Sequence, residues 1–166
     1  MVVDIVTKRE PSHRVIVRTY IGPWTGGDML RPEFAELESW AKDTGVKTGK
    51  WFRIYLDKYE IGMPSDRRRW WASIECKGRV SATPQSIEAR SLPPELVASV
   101  TFDPEVVSDR LVFHGLECWL DWRTRLGEFE EAGPTREVFL GNPWTDPSAK
   151  RQIELQVPIR RTRARH

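Results

Sequence analysis

Cysteine, histidine and unbalanced charge are all scarce in this chain of 166 residues. Two cysteines, Cys76 and Cys118, lie far apart in sequence. They exclude a disulfide framework and a cysteine-rich metal site, and they suit a reducing compartment. Of the three histidines, His13 is expected on the surface at a strand start. His114 stands four residues before Cys118 on a predicted helix, a pair better explained as surface and core positions than as metal ligands. No metal and no cofactor are expected. Lys and Arg total 26 against 24 Asp and Glu, a net charge of +2, so direct nucleic-acid binding is not expected. No window approaches the ~18 apolar residues of a membrane span. Met1-Val2-Val3-Asp4 lacks the charged start and apolar core of a secretion signal. Cytoplasm, with no membrane association, is the expected compartment.

What the chain has in excess is tryptophan, eight residues in all. Trp is costly to expose and often walls a ligand site, so the direction in which these rings point matters. The length suits a single domain over 1–166 or two small, intimately packed halves. Val15 to Tyr20 is β-branched and predicts a strand closed by Gly22-Pro23. Leu30, Phe34, Leu37 and Ala41 recur at helical spacing, with Asp28 or Pro32 at the start and Gly45 at the end. Trp51 to Asp57 and Arg69 to Lys77 predict two more strands. After a polar junction at 79–86 the order repeats. Leu96 to Phe102 is a strand, and a helix from Asp109 carries Val112, Leu116, Trp119 and Leu126 before Gly127. Arg136 to Leu140 and Gln152 to Ile159 are the closing strands. Two pseudo-repeats follow, 13–78 and 87–159, with a basic, solvated tail over 160–166. The expected fold is α+β: tandem, duplicated β-α-β-β units in antiparallel or mixed sheets, with helices on one face and a ligand groove on the other.

Strand alternation then assigns faces. Phe52, Ile54 and Leu56 are expected under the helices, leaving Trp51, Arg53, Tyr55 and Asp57 on the far face. Trp70, Ala72, Ile74 and Cys76 go under, leaving Trp71, Ser73 and Glu75. Val138 and Leu140 go under, leaving Glu137 and Phe139. Ile153, Leu155, Val157 and Ile159 go under, leaving Glu154 and Gln156. The far face therefore collects Trp51, Tyr55, Trp71 and Phe139 with Asp57, Glu75, Glu137 and Glu154. Rings beside carboxylates suit an organic cation. The same rings could instead form a second small core between the halves, and Arg53 could neutralise Glu137 or Asp57.

These residues resemble the GyrI-like small-molecule-binding family, which includes gyrase inhibitor proteins and the effector-binding domains of multidrug-responsive activators. Tyr20-Ile21-Gly22-Pro23-Trp24 is similar to its Gly-Pro-aromatic turn, and Phe34 to Ala41 to its first helix. Ile54-Tyr55-Leu56-Asp57 resembles its Tyr-x-Asp strand, Glu137-Val138-Phe139 its Glu-x-aromatic strand, and Val157-Pro158-Ile159 its closing Pro-Ile. The likeness spans nearly the whole chain in order. It implies a groove between the halves, with Glu137 attracting cationic drugs or dyes and Trp24, Tyr55 and Phe139 as nearby rings. Phe139 and Trp24 stand where the family has Tyr, and Trp70-Trp71 where it often has an Asp-containing segment. No helix-turn-helix segment is expected ahead of Val15.

The leading expectation is a binder of amphipathic, cationic aromatic small molecules that sequesters or senses them. Its ligand-binding residues are Glu137, Phe139, Tyr55, Trp51, Trp71, Trp24 and Asp57. The resemblance adds a cofactor-free hydrolase of strained cyclopropane alkylators, in which Glu137 and Tyr55 would be catalytic. It also adds a protein-interaction module whose partner is gyrase or a regulator. A bare carboxylate serves binding and hydrolysis equally.

Overall fold

β-branched and aromatic runs alternate with amphipathic segments along the chain, and the computed structural model turns them into nine strands and three helices among the described residues, 4–22, 31–57, 64–80 and 83–163. The strands are β1 (Val6–Glu10), β2 (His13–Ile21), β3 (Lys47–Tyr55), β4 (Arg69–Lys77), β5 (Glu88–Leu92), β6 (Glu95–Phe102), β7 (Phe129–Glu131), β8 (Arg136–Phe139) and β9 (Ile153–Arg161). The helices are α1 (Arg31–Asp43), α2 (Asp109–Arg125) and α3 (Pro147–Arg151). Gly45 and Gly127 follow the two long helices at φ +70°, a left-handed conformation that carries no Cβ penalty in glycine. Asp28 and Leu30, proposed for the start of α1, lie outside the described residues.

The architecture is α+β, built from the tandem units β2-α1-β3-β4 and β6-α2-β8-β9. The strands form one curled antiparallel sheet in the order β1-β6-β9-β8-β3-β4-β2-β5, with β7 added to β9. The units meet where β3 pairs with β8, Trp51 opposite Phe139 and Arg53 opposite Glu137. Two strands absent from the sequence reading close the edges. β1 leads into the first unit yet pairs with β6 of the second; β5 leads into the second yet pairs with β2 of the first. Each unit thus lends a strand to the other. Arg160 and Arg161, read from sequence as tail, belong to β9 and pair with β7.

Both helices lie on one face. Under α1, Phe34, Leu37 and Ala41 pack on Ile16, Trp51, Trp70, Ala72, Ile74 and Phe139. Under α2, Val112 and Leu116 pack on Ala98, Val100, Leu155, Val157 and Ile159. Trp119 stacks on Phe129 at 6.1 Å, whereas Leu126 is exposed. The far face carries a third core of Val15, Val17, Phe52, Ile54, Leu92 and Val138.

The alternation is as expected in β4 and β9 but inverted in β3 and β8. Trp51 and Phe139 lie under α1, and Phe52, Ile54 and Val138 lie on the far face. Leu140, expected in the core, is exposed. Register explains the inversion. Trp51 sits opposite Ile74, Arg53 opposite Ala72 and Tyr55 opposite Trp70, and directly opposed residues share a face. β3 and β8 are buried on both faces, so their alternation contains no polar side to orient them.

Candidate functional site

Among the described residues an open space lies at one end of the sheet, where β3 runs out and β8 begins. There a groove of about 930 Å³ is lined by Ile54, Tyr55, Leu56 and Asp57, by Trp71, Arg90 and Leu92, and by Phe113, Leu116 and Leu120 of α2. Glu95, Glu117, Glu131, Pro134, Arg136 and Pro158 complete much of the wall. The groove reaches from α2 to the sheet face turned away from the helices. Its volume is in the range of drug-sized ligand sites, roughly 300–1,000 Å³.

Of the residues singled out from sequence, the structure brings Tyr55, Asp57 and Trp71 to this groove. Trp51 and Phe139 do not reach it. Trp51 stacks on Phe34 at 5.0 Å and meets Trp144 edge-on at 6.0 Å, which makes it part of the α1 core. Trp24 lies outside the described residues. Glu137 is 3% exposed and is not in the groove wall. Its Oε2 accepts from Nε of Arg53 at 3.1 Å and from Nη2 of the same side chain, and its Oε1 accepts from the Tyr55 hydroxyl at 2.9 Å. The neutralising pair that Arg53 could form with Glu137 is therefore present.

This cluster is held on the helix face, where Tyr55 meets Phe113 of α2 edge-on at 5.8 Å. Burial pushes the Tyr55 phenol well above its usual range, so the hydroxyl stays a proton donor toward Glu137. Burial pulls the Arg53 guanidinium down, but the Glu137 carboxylate outweighs it and holds it above its usual range. The carboxylate thus fixes the ring that faces the groove. Asp57 accepts from the Arg69 backbone at 2.7 Å and from its guanidinium at 2.8 Å, and these bonds keep it below the ordinary carboxylate range.

The remaining acids of the far face are committed to a polar network. His13, expected on the surface, is buried. Its Nδ1 lies 2.9 Å from Glu75 and its Nε2 3.3 Å from Glu10. Lys8 bridges Glu10 at 3.0 Å and Glu154 at 2.5 Å, and Glu154 also accepts from Ser99 and from Gln156. Arg136 donates to Gln156 at 2.7 Å and to Glu95 at 2.9 Å. Glu75 and Glu154 therefore brace the sheet and do not line the groove.

Sequence reasoning missed Phe113, Leu120, Arg90 and Arg136. The first two lie beside the stripe of Val112, Leu116, Trp119 and Leu126 and were not part of it, and neither arginine was singled out, although Arg136 directly precedes the Glu137-Val138-Phe139 motif. His114 and Cys118 are both exposed, with Sγ 3.6 Å from Nε2. Among the described residues no group of three or more His, Cys, Asp or Glu could hold a metal ion. No described helix is long and apolar enough to cross a membrane.

No family model and no curated protein matches the chain. Solved structures do. The EcmrR C-terminal domain aligns with a TM-score of 0.71 at 15% identity, covering 97% of this chain and 99% of that one. EcmrR in its DNA complex aligns with a TM-score of 0.74 at 14% identity, covering 95% of this chain but 57% of that one. A hydrolase from Listeria innocua aligns with a TM-score of 0.59 at 10% identity, over 94% and 91% of the two chains. At these identities the likeness shows the fold, a curled antiparallel half-barrel with helices on one face, consistent with the GyrI-like fold.

Proposed function

We propose that the chain binds amphipathic, cationic aromatic small molecules in the groove at the end of β3 and β8, as a sequestering or sensing domain. The observation that carries this reading is the wall itself, with Tyr55, Trp71 and Phe113 beside Asp57, Glu95, Glu117 and Glu131. Rings give a flat ligand area and a cation–π face, while four carboxylates against Arg90 and Arg136 leave the wall net acidic. Tyr55, Trp71 and Asp57 contact the ligand in this proposal. Glu137 positions the Tyr55 ring, and Trp51 and Phe139 belong to the α1 core. The same fold in the EcmrR C-terminal domain is compatible with such a role.

The hydrolytic alternative asks Glu137 to take a proton from water. Both of its oxygens are engaged by Arg53 and Tyr55, so the geometry favours binding. Titration of the protein with a panel of cationic dyes and their neutral analogues, followed by calorimetry, tests the reading. Cationic members should bind, and Trp71→Leu should weaken them by about 0.5–2 kcal/mol. Binding that ignores ligand charge, or that survives Trp71→Leu and Asp57→Asn unchanged, would overturn it.

A further inference from the structure

The Trp71 end of the groove already contains a cation. The Arg90 guanidinium carbon sits 4.5 Å from the Trp71 ring centroid, and its Nε and Nη2 donate to the Glu88 carboxylate at 3.0 and 2.6 Å. In the sheet, Glu88 lies opposite Val17 and Arg90 opposite Val15. Val15 and Val17 belong to the far-face core against which Trp71 packs. Glu88, Arg90 and Trp71 therefore project on one side. The ring is the floor of a slot and the carboxylate its edge. Ile54, Leu56 and Leu92 continue as an apolar track toward Tyr55.

We propose that this slot is a receptor for a planar, delocalised cation of the amidinium or guanidinium type, and that Arg90 fills it as a tethered competitor until a ligand displaces it. The inference rests on the groove reading above and narrows its ligand class. A flat cation with two N–H groups on one edge can reproduce both contacts of Arg90, stacking on Trp71 and pairing with Glu88. A tetrahedral ammonium offers no such edge. Displacement is easy because the tether is on the surface. The side chains of Arg90 and Glu88 are 43% and 56% exposed, and exposed pairs of this kind contribute little. The freed Arg90 side chain returns to water.

The test uses the full chain, calorimetry and three probes of one size: benzamidine, its neutral isostere benzamide, and phenyltrimethylammonium. Arg90→Gln should tighten benzamidine by about two- to fivefold, the reciprocal of losing one exposed cation over a ring. Benzamide should not change, and phenyltrimethylammonium should gain less. Adding Trp71→Leu should cancel the gain. Unchanged or weaker benzamidine binding in Arg90→Gln would overturn the slot. Equal gains for both cations would overturn it too, because that is the effect of removing a positive charge at a distance. If the cationic dyes bind while Arg90→Gln leaves benzamidine unaffected, the slot fails and the groove reading stands. If neither dyes nor benzamidine bind wild type or variant, both fail.

Discussion

Breaking the Arg53–Glu137 pair should destabilise the protein more than any surface change of charge. The two side chains are 9% and 3% exposed, so neither charge can turn to water when its partner is lost. At an effective dielectric of about 20, unit charges roughly 4 Å apart attract by about 4 kcal/mol. Truncating one member of a buried pair costs about 3–5 kcal/mol, because the other charge stays buried and uncompensated. Glu137→Leu and Arg53→Met should each fall in that range. In the double variant both charges are gone, and the main loss is the acceptor of the Tyr55 hydroxyl, about 1–3 kcal/mol. The double variant should therefore be no less stable than either single one, with a coupling energy of about 3 kcal/mol or more. Urea unfolding of the four proteins measures it. Single-variant costs that sum to the double within about 0.5 kcal/mol would refute the pairing as the organising contact. The same pair alters the ligand expectation. A bare Glu137 would make Glu137→Gln selectively harmful to cations. With Arg53 paired to it, the double variant Arg53→Met/Glu137→Leu, which removes both charges, should weaken a cationic ligand and its neutral analogue alike, through the Tyr55 ring.

Trp51→Ala should cost about 3–5 kcal/mol, as for a large core ring, because Trp51 is buried against Phe34 and Trp144. Thermal unfolding should fall by roughly 10 °C, while ligand affinity of the folded protein stays unchanged; lost affinity at retained stability would restore Trp51 to the groove wall. Gly127→Ala should destabilise by about 1 kcal/mol, from left-handed backbone strain alone, since nothing stands within 4 Å of the added Cβ; a neutral result in chemical denaturation would contradict that geometry. Stability should decline in acid. Burial tends to raise Glu10, Glu75 and Glu154, but hydrogen bonds from Lys8 and His13, from His13 and the Lys50 amide, and from Lys8, Ser99 and Gln156 respectively hold all three below the ordinary 4.5. The unfolded chain then takes up protons first, so their contribution is complete above about pH 4.5 and is lost as pH falls through the lower folded values. An unfolding midpoint in urea that is flat from pH 6 to pH 3 would rule this out.

The legible parts of the sequence were those in which one face differs chemically from the other. Trp70, Ala72, Ile74 and Cys76 alternate with Ser73 and Glu75, and Leu155 and Val157 alternate with Glu154 and Gln156; in both strands the apolar set does lie under a helix. Likewise Gly45 and Gly127 ended α1 and α2, because a left-handed residue is a local requirement. His13 was misplaced because the strand pairing that covers it is remote: Glu10 stands three residues before it, but Glu75 is 62 residues away.

By itself the sequence determined the repeated order of strand, helix, strand and strand, since hydrophobic period and helix ends are encoded within a few neighbouring residues. The tertiary structure alone decided the faces of β3 and β8, and so the fate of Trp51, Phe139 and Glu137. Those two strands are covered on both sides, and their orientation is set by pairing with β4 and with each other. It also decided the groove, because α2, the end of β3 and the β5–β6 region meet there only when the sheet curls. The physical reason is the same in both cases. A side chain's environment is set by what lies across the sheet, and residues adjacent in the chain carry no record of that neighbour.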